Sequence, residues 1–171
     1  MDKKQDYDEF EHRHRFAAWA AARAAQRGLL GGTNKNLINA LGGCNIKEFV
    51  RNPSRDLYER DHDKWCDSIL NEIRFMAYGR AAKLIAVYLK VMLILDPGVP
   101  SEITDVIHPP IDSVLLINIK KIKGFESFKY SKAKWTGLDK IEYQEIIEDL
   151  KKLKGDMPFW KIEQAWDPKE S

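Results

Sequence analysis

Apolar residues recur at three- and four-residue intervals along most of the chain, and no β-branched run alternates between hairpin turns, so the pattern predicts an all-α fold. The first helix is expected over residues 7–27, with an alanine-rich half that combines high helix propensity with side chains small enough for close helix approach. Gly28, Gly31 and Gly32 end it. Short helices follow over 34–41, behind Thr33 as N-cap, and over 46–51; Pro53 separates them from a longer one over 54–73. Residues 79–95 predict a central helix, because from Ala81 to Leu95 only Lys83 and Lys90 are polar. Those two lysines, seven apart, share one stripe. The stretch 99–107 reads as a connection, and His108-Pro109-Pro110 as an extended approach to a helix over 111–119. An amphipathic helix over 138–153, with Leu138, Ile141, Ile146, Leu150 and Leu153 apolar, and a short one over 158–166 complete the chain.

With 171 residues the pattern fits one domain, large enough to bury a core without disulfides or a structural metal. Cys44 and Cys66 match neither a disulfide framework nor a metal spacing, and the charged first residues match no leader. A cytoplasmic chain without cofactor is the expectation, and the uncharged runs are too short for a membrane span. Charge adds a sharper feature. The 28 basic and 26 acidic side chains nearly cancel, yet residues 119–135 hold Lys120, Lys121, Lys123, Lys129, Lys132 and Lys134 against Glu126 alone. Phe125, Phe128, Tyr130 and Trp135 are interleaved with them, which predicts a nucleic-acid contact by phosphate attraction and base stacking together.

Two short motifs occur in a fixed order: Phe75-Met76-Ala77-Tyr78-Gly79-Arg80-Ala81-Ala82, then Pro110-Ile111-Asp112. Together with the Phe16-Ala17-Ala18-Trp19 helix they resemble, over residues 10–120, the helix-hairpin-helix DNA glycosylases. In that superfamily a glycine hairpin precedes a small-residue helix, and an essential aspartate stands at a later helix N-terminus. The resemblance implies a DNA-binding protein acting in base excision, with DNA rather than RNA as partner. Asp112 would be the catalytic carboxylate, Lys83 a second catalytic candidate, the Tyr78-Gly79 turn a phosphate anchor, and Arg80, the six loop lysines and Trp135 further nucleic-acid contacts. Arg80 and Ala81 stand where strand-cleaving members carry a lysine, the hairpin has one glycine, and the Arg80 to Asp112 interval is long. The resemblance is therefore to a monofunctional hydrolase or a binding-only relative. A bland reading accompanies each residue: Asp112 as a helix cap, Gly79 as a helix C-cap, Lys83 and Lys90 as a solvated stripe.

Two other readings use different residues. Arg55 and His62 have a spacing similar to the Arg-His motif of the all-α HEPN ribonucleases, which implies a dimer cleft where histidines of two subunits meet. A non-enzymatic interaction domain would use Phe159, Trp160 and Trp166 as its contact surface. No metal is expected, since His12 and His14, or His62 with Asp61 and Asp63, diverge around a helix.

Overall fold

The first helix, α1 (Glu9–Gln26), starts where the Asp8 carboxylate accepts a hydrogen bond from the Glu11 amide, and it stops at Gly28, whose φ of 68° suits a residue without Cβ. In the computed structural model, which describes residues 7–170, Ala17, Ala18, Ala21, Ala22 and Ala25 form a fully buried face. Small side chains let α1 lie close against α5 (Tyr78–Leu89), the central helix, in which every residue but Val87 is buried. Between them in sequence come α2 (Asn34–Gly43), capped by Thr33, α3 (Ile46–Arg51) and α4 (Arg55–Glu72), capped by Ser54. The chain is all-helical, with no strand among the described residues.

The central helix ends differently from the expected single rod over 79–95. After Leu89 the backbone widens into one π-helical turn, Lys90–Ile94, closed by a 3.0 Å hydrogen bond from the Leu95 amide to the Lys90 carbonyl. The connection that follows contains a short helix, α6 (Ser101–Thr104), which the sequence pattern missed. The helix expected over 111–119 is α7 (Ser113–Asn118), preceded by buried Pro109, Pro110 and Ile111 and continued by a 3-10 turn, Ile119–Lys121. The amphipathic helix is α8 (Lys140–Lys154), opened by a capping box between Asp139 and Glu142. Its apolar face differs from expectation at three positions: Ile141 points to solvent, while Tyr143 and Ile147 join Ile146 and Leu150 inside. The helix expected over 158–166 is a 3-10 segment, Phe159–Ala165, followed by a 3-10 turn, Pro168–Glu170. None of the described helices is long and apolar enough to cross a membrane.

Gly79 is neither a free hairpin nor a helix C-cap. It is the second residue of α5, and its amide donates a 3.0 Å hydrogen bond to the Leu138 carbonyl. A Cβ there would lie 2.3 Å from the Trp135 carbonyl oxygen and 3.0 Å from the Leu138 Cβ. The glycine thus lets the 135–138 segment cross the start of the central helix in contact with its backbone. An amide of the first helical turn, which sequence reasoning left free for phosphate, is used inside the fold.

Candidate functional site

Lys83 and Asp112, 29 positions apart, meet. Lys83 projects from α5 with 8% of its surface exposed, and its Nζ lies 3.3 Å from Asp112 Oδ2. The aspartate performs three tasks at once. Oδ1 accepts from the Leu115 amide at 2.9 Å, capping α7; Oδ2 accepts from Lys83 and, at 3.1 Å, from the Trp166 indole N–H. Its place at a helix start follows from the Pro109-Pro110 approach, which holds the backbone extended up to the cap. Trp135 lies over Lys83, with Nζ 4.1 Å from the ring centroid, in cation–π range. Seven residues further on, at the start of the π-helical turn, half-buried Lys90 pairs with Glu163 of the 3-10 segment Phe159–Ala165 at 2.7 Å. Burial lowers the Lys83 pKa from its ordinary value of 10.5, and Asp112 works against that shift.

The remaining residues predicted to touch nucleic acid divide in two. Lys120, Lys121, Lys123, Lys129, Lys132 and Lys134 are all exposed, as expected of an electrostatic footprint. Of the aromatic residues between them, Phe125, Phe128 and Trp135 are buried, at 2%, 0% and 6% exposure, and anchor the loop to the core, while Tyr130 is half-buried. Periodicity cannot separate these outcomes, because a loop that alternates lysines with aromatics reads the same whichever set faces inward. Tyr78 is also buried and donates a 2.7 Å hydrogen bond to Asp63. Arg80 is buried, and its Nη1 donates to the carbonyls of Ala25 and Arg27, at 2.7 Å each, closing the C-terminal end of α1. Tyr78, Gly79, Arg80 and Trp135 therefore act in packing. Large exposed rings stand elsewhere, notably Phe16 and Trp19 on α1. A shallow groove of about 330 Å³ runs between Ser113 and Ile117 of α7 and Lys132, Lys134 and Trp135 of the loop. It begins one residue from Asp112.

A larger cavity, about 540 Å³ and lined by Phe159, opens between α4 and α8. Arg55 and His62, the pair on which the HEPN resemblance rests, both line it. His62 is 5% exposed and its ring centroid is 4.7 Å from that of His108 in the same chain. Arg55 pairs with Glu59 at 2.9 Å. Of the three C-terminal aromatics, Phe159 is buried, Trp166 donates to Asp112, and Trp160 is exposed. No group of three metal-ligating side chains is present among the described residues.

His108 was missed as a site residue although it directly precedes the proline motif. Its Nδ1 is 3.1 Å from the Tyr143 hydroxyl, and burial, with His62 next in effect, pushes its pKa well below 6.5. The folded state rejects this proton, so the stability that neutral His108 contributes is complete above about pH 6.5 and is lost as pH falls toward the folded value. Urea melts along a descending pH series are expected to show a loss of stability below about pH 6.5 that His108→Asn makes shallower. An equally steep loss in the variant would assign it to other groups.

Comparison with protein-family models, with curated proteins and with solved structures finds no match for this chain.

Proposed function

We propose that the protein binds DNA and releases bases from it in the manner of a monofunctional DNA glycosylase, with Asp112 as the catalytic carboxylate, Lys83 as its partner and the exposed loop lysines as the phosphate-contacting surface. The observation that carries this reading is the Lys83–Asp112 pair, 3.3 Å apart and beside a lysine-walled groove. Two residues singled out from separate motifs share one site, and a carboxylate at a helix start next to a basic groove is suited to glycosidic chemistry. A carboxylate there stabilises the positive charge that develops on a sugar as its base departs, or takes a proton from the attacking water. The lysine holds that carboxylate in one orientation. Trp166 covers Asp112, so the segment carrying it must move aside for a sugar to reach the carboxylate.

The reading is tested by base release from duplexes carrying deaminated, oxidised or alkylated bases. Wild-type protein is expected to release at least one of them, and Asp112→Asn, which keeps the acceptor oxygen that caps Leu115 but turns an NH2 toward Trp166 and Lys83, is expected to reduce release by two orders of magnitude or more. Equal release by both proteins would remove Asp112 from the chemistry.

A further inference from the structure

The cavity between α4 and α8 is independent of the Lys83–Asp112 site, and its lining is sorted along its length. The two helices run antiparallel: Lys140, at the start of α8, reaches Asp63 and Asp67 in the second half of α4, while Lys151 and Lys154, in the last turn of α8, line the cavity with Arg55, the first residue of α4. Arg55 and Lys151 thus line the cavity at the N-terminal end of an 18-residue helix, where the backbone also favours an anion, while the Lys154 ammonium donates to the carbonyls of Gly155 and Met157. The acids at that end, Glu59 and Glu148, are held by Arg55 and Lys151 in exposed ion pairs within their own helices. Such pairs are worth about 1 kcal/mol or less and yield readily to a phosphate that takes a bidentate arginine contact. Asp105 is the third acid near this end.

The floor of the cavity is aromatic. His62 and Tyr143 lie nearly parallel, 10° apart in plane, with His108 edging Tyr58 and Phe159 closing the base. His62 Nε2 is buried with no hydrogen-bond partner, an uncommon state for an imidazole nitrogen. Beyond the rings, Gln144 and Asp63 offer polar atoms at the far end. From Arg55 to Asp63 the helix rises about 12 Å, the span from the phosphate of a mononucleotide to the far edge of its base. Other occupants fit less well. A metal lacks a ligand set among the described residues, and histidine rings 4.7 Å apart leave no room for a phosphate between them.

We propose that this cavity is a binding site for a nucleoside 5′-monophosphate, with the phosphate at Arg55 and Lys151 and the base against His108, Tyr143 and Phe159. The ligand is either a free nucleotide or the phosphorylated 5′ end of a strand, which present the same chemistry.

Calorimetric titration of the full chain with the four common nucleoside 5′-monophosphates, the matching nucleosides and inorganic phosphate tests this. At least one monophosphate is expected to bind about tenfold or more tighter than its nucleoside and than phosphate alone. The double variant Arg55→Gln/Lys151→Gln, at two exposed positions, is expected to lose about that factor without a change in Tm, whereas Lys132→Glu/Lys134→Glu leaves binding intact. Competition by a 5′-phosphorylated oligonucleotide, absent with the unphosphorylated one, identifies a strand end as the ligand; no competition by either identifies the free nucleotide. Absence of saturable binding, equal binding of phosphate or nucleoside, or an unaffected Arg55/Lys151 double variant would each overturn the assignment.

Discussion

Asp112→Ala is expected to destabilise the protein by about 3–5 kcal/mol, because it leaves Lys83 as a buried, unpaired ammonium. Two smaller losses accompany it: the α7 amide of Leu115 and the Trp166 indole are both left without an acceptor. For a chain of this size that is a fall in Tm on the order of 10 °C. The dependence on pH separates these contributions. Burial already lowers the Lys83 pKa from 10.5, and without Asp112 nothing adjacent opposes that shift. The unfolded chain then binds a proton that the folded one resists, so stability rises with pH as the unfolded lysine approaches 10.5. The gap between variant and wild type is expected to be widest near neutrality and to narrow in alkali. Adding Lys83→Met to Asp112→Ala is expected to recover more than half of the loss, since the orphaned charge is gone. A gap independent of pH, with no recovery in the double variant, would mean that the cap and the indole hydrogen bond dominate and that the ion pair contributes little.

Gly79→Ala sets two effects of opposite sign against each other. Replacing glycine by alanine in a helix favours the helix by about 1 kcal/mol. The new methyl, however, meets the Trp135 carbonyl oxygen at 2.3 Å, and a backbone atom does not turn away as the end of a side chain does. Separating the 135–138 segment from α5 would also lengthen the Gly79 to Leu138 hydrogen bond and lift Trp135 from Lys83. Overpacking of this kind costs about 3 kcal/mol, so the net effect is a loss of about 2 kcal/mol and a Tm lower by about 4–8 °C. Thermal melts followed by circular dichroism check it. A stabilised Gly79→Ala protein would contradict the close crossing.

The helical framework was legible in the sequence because it rests on local signals: the cap at Thr33, the glycines after Gln26, Pro53 before α4, and the buried run of α5. The Lys83–Asp112 pair was half legible. Both residues stood out by position, lysine in an apolar helix and aspartate after two prolines, and the structure places them in contact. Trp166 was not legible as their third member, since nothing local links it to residue 112 across 54 positions. The errors at Tyr78, Gly79, Arg80 and Trp135 have one cause. Each residue carries chemistry useful to a ligand and equally useful inside a fold. Whether the Gly79 amide or the Arg80 guanidinium faces outward depends on what the 135–138 segment and the end of α1 do, and those are tertiary facts. Of the two histidines of the α4–α8 cavity, His62 was read only against its own helix neighbours for metal geometry and His108 only as the start of a proline approach, which hid their convergence from separate elements.

The central claim is that the lysine face beside Asp112 engages DNA, and a salt titration of binding to duplex and single-stranded DNA tests it most directly. Phosphate neutralisation releases counterions, so the logarithm of the affinity is expected to fall linearly with the logarithm of salt concentration. Lys132→Glu/Lys134→Glu, at two exposed positions walling the groove, is expected to weaken binding and to flatten the duplex slope by about 2, roughly 0.9 for each phosphate that the variant no longer neutralises. Affinity that is undetectable at low salt, or that is the same in the variant with an unchanged slope, would contradict it.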